Sequence, residues 1–118
     1  MLAISPNTKA YLCLADVDFR KGIDGLQAVC RNLIEKDPFS GMIFIFRNRS
    51  GSSIRTLAYD GQGFWMCTKR LSQGKFHWWP ENASEVGMTI RACDLQALLW
   101  NGDPEGANFS ENWKKIDG

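Results

Sequence analysis

The sequence predicts an α+β domain, an antiparallel β-meander sheet of about five strands with two helices, in the order βαββββα. Between residues 41 and 80, short β-branched and aromatic runs are separated by Gly-bearing connections, the pattern of successive hairpins. One segment before this region and one after it switch to helical periodicity. The 118 residues give about one domain's length, enough for a single modest core and too little for two.

The run YLCLADVD is apolar, follows the polar SPNTK and reads as the first strand. In FRKGIDGLQAVCRNLIEKDP the apolar positions Ile23, Leu26, Cys30, Leu33 and Ile34 recur at helical spacing, so one helix face packs on the sheet. Asp18 suits the N-cap of this helix, and Pro38 makes Asp37 a poor place to continue it. Gly22 and Gly25 each weaken the helix by about 1 kcal/mol relative to alanine, which implies close backbone approach to the sheet or a partner. After DPFSG come four strand candidates, MIFIFR, IRTLAYD, FWMCTKRL and KFHWW, joined by NRSGSS, GQG and SQG and ended by Pro80.

Alternation sorts the side chains of these strands. Met42, Phe44 and Phe46 share one face, and Ile43, Ile45 and Arg47 the other; Arg55 goes with Leu57 and Tyr59, and Lys69 with Trp65, Cys67 and Leu71. ENASEVG reads as a loop and TIRACDLQALLWNG as a second helix, with Leu95, Leu98 and Leu99 on one face and Gly102 at its stop. The domain thus covers residues 1–102, and 103–118 form a polar, turn-rich tail. Periodicity leaves open which side of the sheet the helices cover.

The hydrophobic and charged fractions, 44% and 23%, are those of an ordinary globular protein. The N-terminus lacks a basic start followed by an apolar run, and no apolar stretch approaches the roughly 20 residues that span a bilayer. The reading is a soluble, cytoplasmic protein. Cys13, Cys30, Cys67 and Cys93 lie singly in apolar settings without a C-x-x-C pair, and the single histidine, His77, has no cysteine nearby in sequence. Buried, reduced thiols account for them better than a metal site or disulfides. In such a compartment the N-x-S triplets at Asn48, Asn82 and Asn108 carry no glycosylation meaning.

Charge is unevenly spread. Residues 41–80 hold six basic side chains, Arg47, Arg49, Arg55, Lys69, Arg70 and Lys75, against the single acid Asp60. The remainder holds eight basic and twelve acidic residues, so a chain of net charge +1 contains a segment of +5. Basic groups neutralise phosphates and release counterions, and aromatic rings offer stacking surfaces, so these hairpins are a candidate DNA-binding surface. The bland alternative is that the cations guard strand edges and turns while Phe44, Phe46, Phe64, Trp65 and Trp78 fill the core. Neighbouring Trp78 and Trp79 in a strand must point to opposite faces, which leaves one exposed or covered by the tail or a partner.

Catalytic constellations are thin. His77 has no adjacent nucleophile motif, and neither a phosphate loop nor a dinucleotide fingerprint occurs. Asp16 and Asp18 fall on one strand face and could hold a divalent ion for phosphodiester cleavage, but no further acids complete such a site. No catalytic residue, metal ligand or cofactor is therefore assigned.

The blocks DVDFRKGIDGLQAVC, DPFSGMIFIFRNR, YDGQGFWMCTKRLSQGKFHWW and DLQALLWNG, in order and without large gaps, resemble a known family. It is the small accessory protein encoded by the second open reading frame of insertion sequences of the IS-sixty-six type, often called their TnpB protein. That name is shared with RNA-guided nucleases, which this chain does not resemble. The matching positions are Asp18, Arg20, Lys21, Gly22, Asp24, Gly25 and Leu26; Asp37 to Gly41 with Phe44, Phe46, Asn48 and Arg49; and Lys69 to Leu71 with Gly74, Phe76 and Trp78. The resemblance implies a non-catalytic role in transposition, beside a separate transposase that performs the strand chemistry, with DNA and transposase as partners and a homo-oligomer possible. The chain departs from the family pattern in SGSSIRTLAYD, where a more basic turn is usual, in Thr68 before Lys69-Arg70, and in Arg91 at a helix start usually capped by serine or threonine.

Three hypotheses follow: DNA binding through Arg47, Arg49, Arg55, Lys69, Arg70 and Lys75; a protein-interaction module that contacts transposase through Arg20, Lys21 and Trp79; and a metal-dependent nuclease built on Asp16 and Asp18.

Overall fold

In the computed structural model, which describes residues 7–80 and 85–101, two segments are apolar at consecutive positions and buried at each of them: Ala10–Cys13 and Ile43–Phe46. Such strands must be covered on both faces. They form the centre of a five-stranded sheet in the order β4-β3-β2-β1-β5, with a helix against each face. The elements are β1 (Ala10–Asp16), α1 (Ile23–Asn32), β2 (Ile43–Arg47), β3 (Ser53–Tyr59), β4 (Phe64–Arg70), β5 (Gly87–Ile90) and α2 (Ala92–Leu99).

The α+β class and the element order hold, but the sheet is mixed rather than an antiparallel meander. β2, β3 and β4 do run as an antiparallel meander, and β5 is antiparallel to β1. β1 and β2, however, are parallel neighbours. The intervening α1 makes this possible, because a parallel pair needs a long crossover that returns the chain to its starting end.

The fifth strand is Gly87–Ile90, not KFHWW. After Gly74, which takes φ +77, the chain folds back and Phe76 N–H donates to Gly51 O at 2.9 Å. His77 N–H donates to the Asn101 side chain at 2.8 Å, so this stretch packs across one end of the sheet and joins no ladder. Trp79 is buried and Trp78 packs against the same core, which an extended strand would forbid. The expectation that the two tryptophans point to opposite faces is corrected, and with it Trp79 as a surface contact.

Alternation correctly sorted β2 to β4. Phe44, Phe46 and Leu57 pack with Leu26, Cys30 and Ile34 beneath α1. Ile43, Ile45, Ile54 and Ala58 pack with Leu95, Leu98, Phe76 and Trp79 beneath α2.

The predicted bounds of α1 shift. It begins after Gly22, not Asp18, and ends at Asn32, five residues before Asp37. Glu35 takes φ +53, and Leu33 turns outward although Ile34 is buried. The sheet is not what lies nearest Gly22 and Gly25: a Cβ on Gly22 would meet nothing within 4 Å, and one on Gly25 would first meet the Lys21 side chain. As N-cap, Gly22 has extended φ and ψ and offers the first-turn amides no side-chain acceptor. Gly22→Ser supplies that acceptor and reduces unfolded-state freedom, so it should stabilise the protein by about 0.5–1 kcal/mol, read as a higher denaturant midpoint.

At α2, Asp94 accepts from the Arg91 backbone N–H at 3.0 Å and pairs with its guanidinium at 3.1 Å. Arginine has no acceptor to cap the helix in return, so only half of a capping box forms. All four cysteines are free. Cys13 and Cys30 are buried in the α1-face core, whereas Cys67 is half-buried and Cys93 exposed, contrary to the reading that buried all four. Burial pushes the Cys30 thiol up to about 12. The tail 103–118, the stop at Gly102 and most of the ENASEVG loop lie outside the described residues. Among those described, no helix is long and apolar enough to cross a membrane.

Candidate functional site

The topology gathers charge at one end of the sheet. β2 leaves there at Arg47 and Arg49, β3 enters at Ser53 and Arg55 opposite Arg70 and Thr68, and β4 leaves at Lys69 and Arg70. The Phe76–Gly51 hydrogen bond returns Lys75 to the same end. β1, being parallel to β2, also ends here, so its following turn adds Arg20 and Lys21. Eight cations therefore meet four acids, Asp16, Asp18, Asp24 in the first turn of α1, and Glu85, among the described residues at this end. Two of the cations lie far upstream of the basic sequence segment. Their arrival depends on the parallel pairing, which sequence reasoning missed.

The cations have different local duties. Arg55 Nη1 donates to the carbonyls of Phe19 and Lys21 at 2.8 and 3.1 Å, its Nε donates to Thr68 Oγ1 at 2.7 Å, and its guanidinium lies 4.5 Å from the Phe19 ring centroid. It pins the turn before α1 to the sheet. Thr68, a departure from the family pattern, is thus an anchor for Arg55. Arg47 lies over the Trp79 ring at 5.3 Å on the α2 face, with its Nε buried and without a hydrogen-bond partner among the described residues. Lys69, on the same face, donates to Leu99 O and lies 5.7 Å from the Trp100 ring centroid. Arg49, Arg70 and Lys75 are exposed and make no hydrogen bond or ion pair among the described residues. Of the six basic side chains of the segment, these three keep exposed charges without a partner among the described residues. No sequence signal separated Arg55 from them, because its partners lie 34 to 36 residues upstream.

Beside these groups, at the carboxyl ends of β1 and β2, an open cleft of about 740 Å³ is lined by residues 16–20 and 48–50. Clefts outside the carboxyl ends of parallel strands are common ligand positions in α/β sheets. The turn 48–53 forming one wall is held by Asn48, whose backbone and side chain both bond Ser53. On the other wall, Asp18 accepts Arg20 backbone N–H at 2.9 Å and holds its guanidinium through both carboxylate oxygens, the shortest contact being 2.8 Å. Asp18 is therefore a turn-forming residue, not the helix cap. Arg20, one of the two remaining candidates for partner contact, is neutralised by this pair, while Lys21 stays exposed and unpaired among the described residues.

The side-chain and backbone hydrogen bonds from Arg20 lower the Asp18 carboxyl to about 2. A lowered folded-state value adds stability above the ordinary carboxylate range, lost as pH falls through the folded value. Arg20→Ala should return the Asp18 midpoint toward 3.8, read by a carboxyl-carbon NMR titration between pH 5 and about 1.5. A midpoint unmoved by Arg20→Ala would show that the pair does not hold in solution. Asp16 is exposed at the end of β1, across from Arg47. Among the described residues no three His, Cys, Asp or Glu side chains cluster as metal ligands, and both Asp18 oxygens are bonded to Arg20.

Comparison with known proteins agrees with the blocks on which the resemblance rests. The chain is 35% identical over 99 residues to the uncharacterized protein y4hO of Sinorhizobium fredii (strain NBRC 101917 / NGR234), covering 84% of each chain. It is 35% identical over 95 residues to y4jC, an uncharacterized protein of the same strain, covering 80% of this chain and 81% of the relative. No solved structure matches. The family described as IS66 Orf2 like protein matches residues 8–108, which include both strands of the parallel pair, the pinned turn and all the gathered cations. The chain belongs to the IS66 Orf2-like family of insertion-sequence-associated proteins.

Proposed function

We propose that the protein is a non-catalytic accessory factor of insertion-sequence transposition that binds the DNA backbone with the basic end of its sheet and thereby assists a separate transposase. The observation that carries this reading is the convergence at one end of Arg49 from the β2–β3 turn, Arg70 from the end of β4 and Lys75 from the segment that follows it, each with its charge unspent among the described residues. Unpaired cations several ångströms apart on a rigid sheet end can each replace a condensed counterion at a phosphate. Arg55 and Asn48 serve this surface indirectly, by fixing the turns on either side of it.

The core holds Phe44, Phe46 and Trp79, so stacking of unpaired bases on these rings is not part of the proposal. Duplex DNA is the favoured ligand. Fluorescence anisotropy of labelled duplex and single-stranded DNA at two salt concentrations, without metal, tests the reading. Salt-dependent binding of duplex supports it, and absence of binding to either form at low salt overturns it.

A second reading has its own observation. Trp100 is 66% exposed at the end of α2 and stands beside Lys69, a position suited to a protein partner such as transposase. Co-purification with transposase that survives nuclease treatment and is lost in Trp100→Ala would favour this role.

A further inference from the structure

We propose that the free edge of β4 is a self-association surface on which a second copy of this chain adds antiparallel, with Cys67 at the two-fold axis. Among the described residues β4 is the outer strand of the sheet and nothing pairs with its far edge; it is seven residues long, and Phe64–Thr68 carries no charge. An uncovered edge of this length is a template for another strand, and the usual protections (bulge, proline, inward charge) are missing from its middle.

The hydrogen-bond parity of the edge selects the possible registers. Leu71 N–H bonds Ser52 O at one end of the β3–β4 ladder, and Asp60 N–H bonds Gly63 O at the other. The odd-numbered residues of β4 therefore bond to β3, and Phe64, Met66, Thr68 and Arg70 turn their N–H and C=O groups to the free edge. An antiparallel copy centred on Cys67 pairs Phe64 with the second copy's Arg70, and Met66 with its Thr68. Each is then a hydrogen-bonded pair of outward-facing residues. Trp65 meets the second copy's Lys69, and Cys67 meets Cys67, as non-hydrogen-bonded pairs.

This register uses the whole strand, and its chemistry is self-complementary. Each cation of β4 faces an aromatic ring of the other copy, Lys69 against Trp65 and Arg70 against Phe64, and no like charges are opposed. Trp65 is 43% exposed and has a side to offer. The Asp60 turn of each copy is carried toward the basic end of the other. Shifting the register outward so that Lys69 meets Lys69 would set like charges across the axis, which favours a second copy in the Cys67-centred arrangement over a sliding edge. The arrangement makes a continuous ten-stranded sheet whose two basic ends face opposite directions.

Cys67 also provides the test, since opposed non-hydrogen-bonded residues have Cα atoms about 4.5 Å apart, within disulfide range. Full-length protein carrying Cys93→Ser, which removes the exposed thiol, is treated with copper–phenanthroline without DNA. The oxidant takes two electrons and the two thiols release two protons as the S–S bond forms. A reducible covalent dimer that disappears in Cys67→Ser is expected, together with a concentration-dependent dimer in sedimentation equilibrium. Trp65→Lys opposes two lysine pairs and should raise the dimer dissociation constant by about tenfold, and adding Lys69→Glu should restore it. Protein that stays monomeric at all concentrations, or a dimer that neither cross-links through Cys67 nor responds to Trp65→Lys, overturns the proposal. Because the cross-linking keeps β4 unaltered, it decides the matter even where Trp65→Lys fails to fold.

Discussion

On the proposed DNA-binding role, alanine at Arg49, Arg70 and Lys75 together is expected to lower duplex affinity by about a hundredfold at ~0.1 M salt and to flatten the salt dependence by about 2.7 logarithmic units per decade of salt. The magnitude follows from counterion release: each lost phosphate contact removes about 0.9 from the slope, and at ~0.1 M salt about as many decades of affinity, less the water and side-chain contacts that persist. These residues are chosen because their charges are unspent and exposed, so their loss leaves the fold intact. Arg55 is the contrasting control. Its guanidinium satisfies two backbone carbonyls and lies over Phe19, so Arg55→Ala should destabilise the domain by about 1–3 kcal/mol, and Arg55→Lys should not restore the bonds. A triple variant with unchanged slope would remove this end of the sheet from the DNA-binding role, whatever its effect on affinity.

Gly87→Ala should cost about 3 kcal/mol of stability, read as a fall in denaturant midpoint. A Cβ at position 87 would lie 2.3 Å from Tyr11 Cε1 and 2.7 Å from Leu12 O. The tyrosine ring could swing aside, but the carbonyl belongs to the central strand β1 and cannot, so the relief must come from displacement of β5. Relief by displacement uncovers Ile90 and the end of β1, which β5 protects. Glycine is required here by close approach alone, since Gly87 is not among the residues with positive φ. A midpoint within about 0.5 kcal/mol of wild type would show that β5 pairs loosely and that the sheet is in effect four-stranded.

Much of the fold was legible. Successive strand side chains point to opposite faces, so the pleat alone separated Phe44 and Phe46 from Ile43 and Ile45, although both sets are apolar and buried. The +5 segment located most of the site residues for the same kind of reason, since hairpin neighbours are also sequence neighbours. KFHWW was misread because its composition suits a strand equally well as an apolar strap. Only Gly74 and the bond to Gly51 O turn it across the sheet end and bury Trp79.

By itself, then, the sequence determined the class, the order of elements, the family and the basic segment, all of which rest on local periodicity and on motifs read along the chain. Tertiary structure alone decided that β1 lies parallel to β2, with α1 and α2 on opposite faces. That pairing brings Arg20 and Lys21 to the basic end and places the Phe19 and Lys21 carbonyls where Arg55 is spent on them. A cation's availability depends on which acceptors reach it, and acceptors 34 residues away along the chain leave no trace in the pattern around the cation.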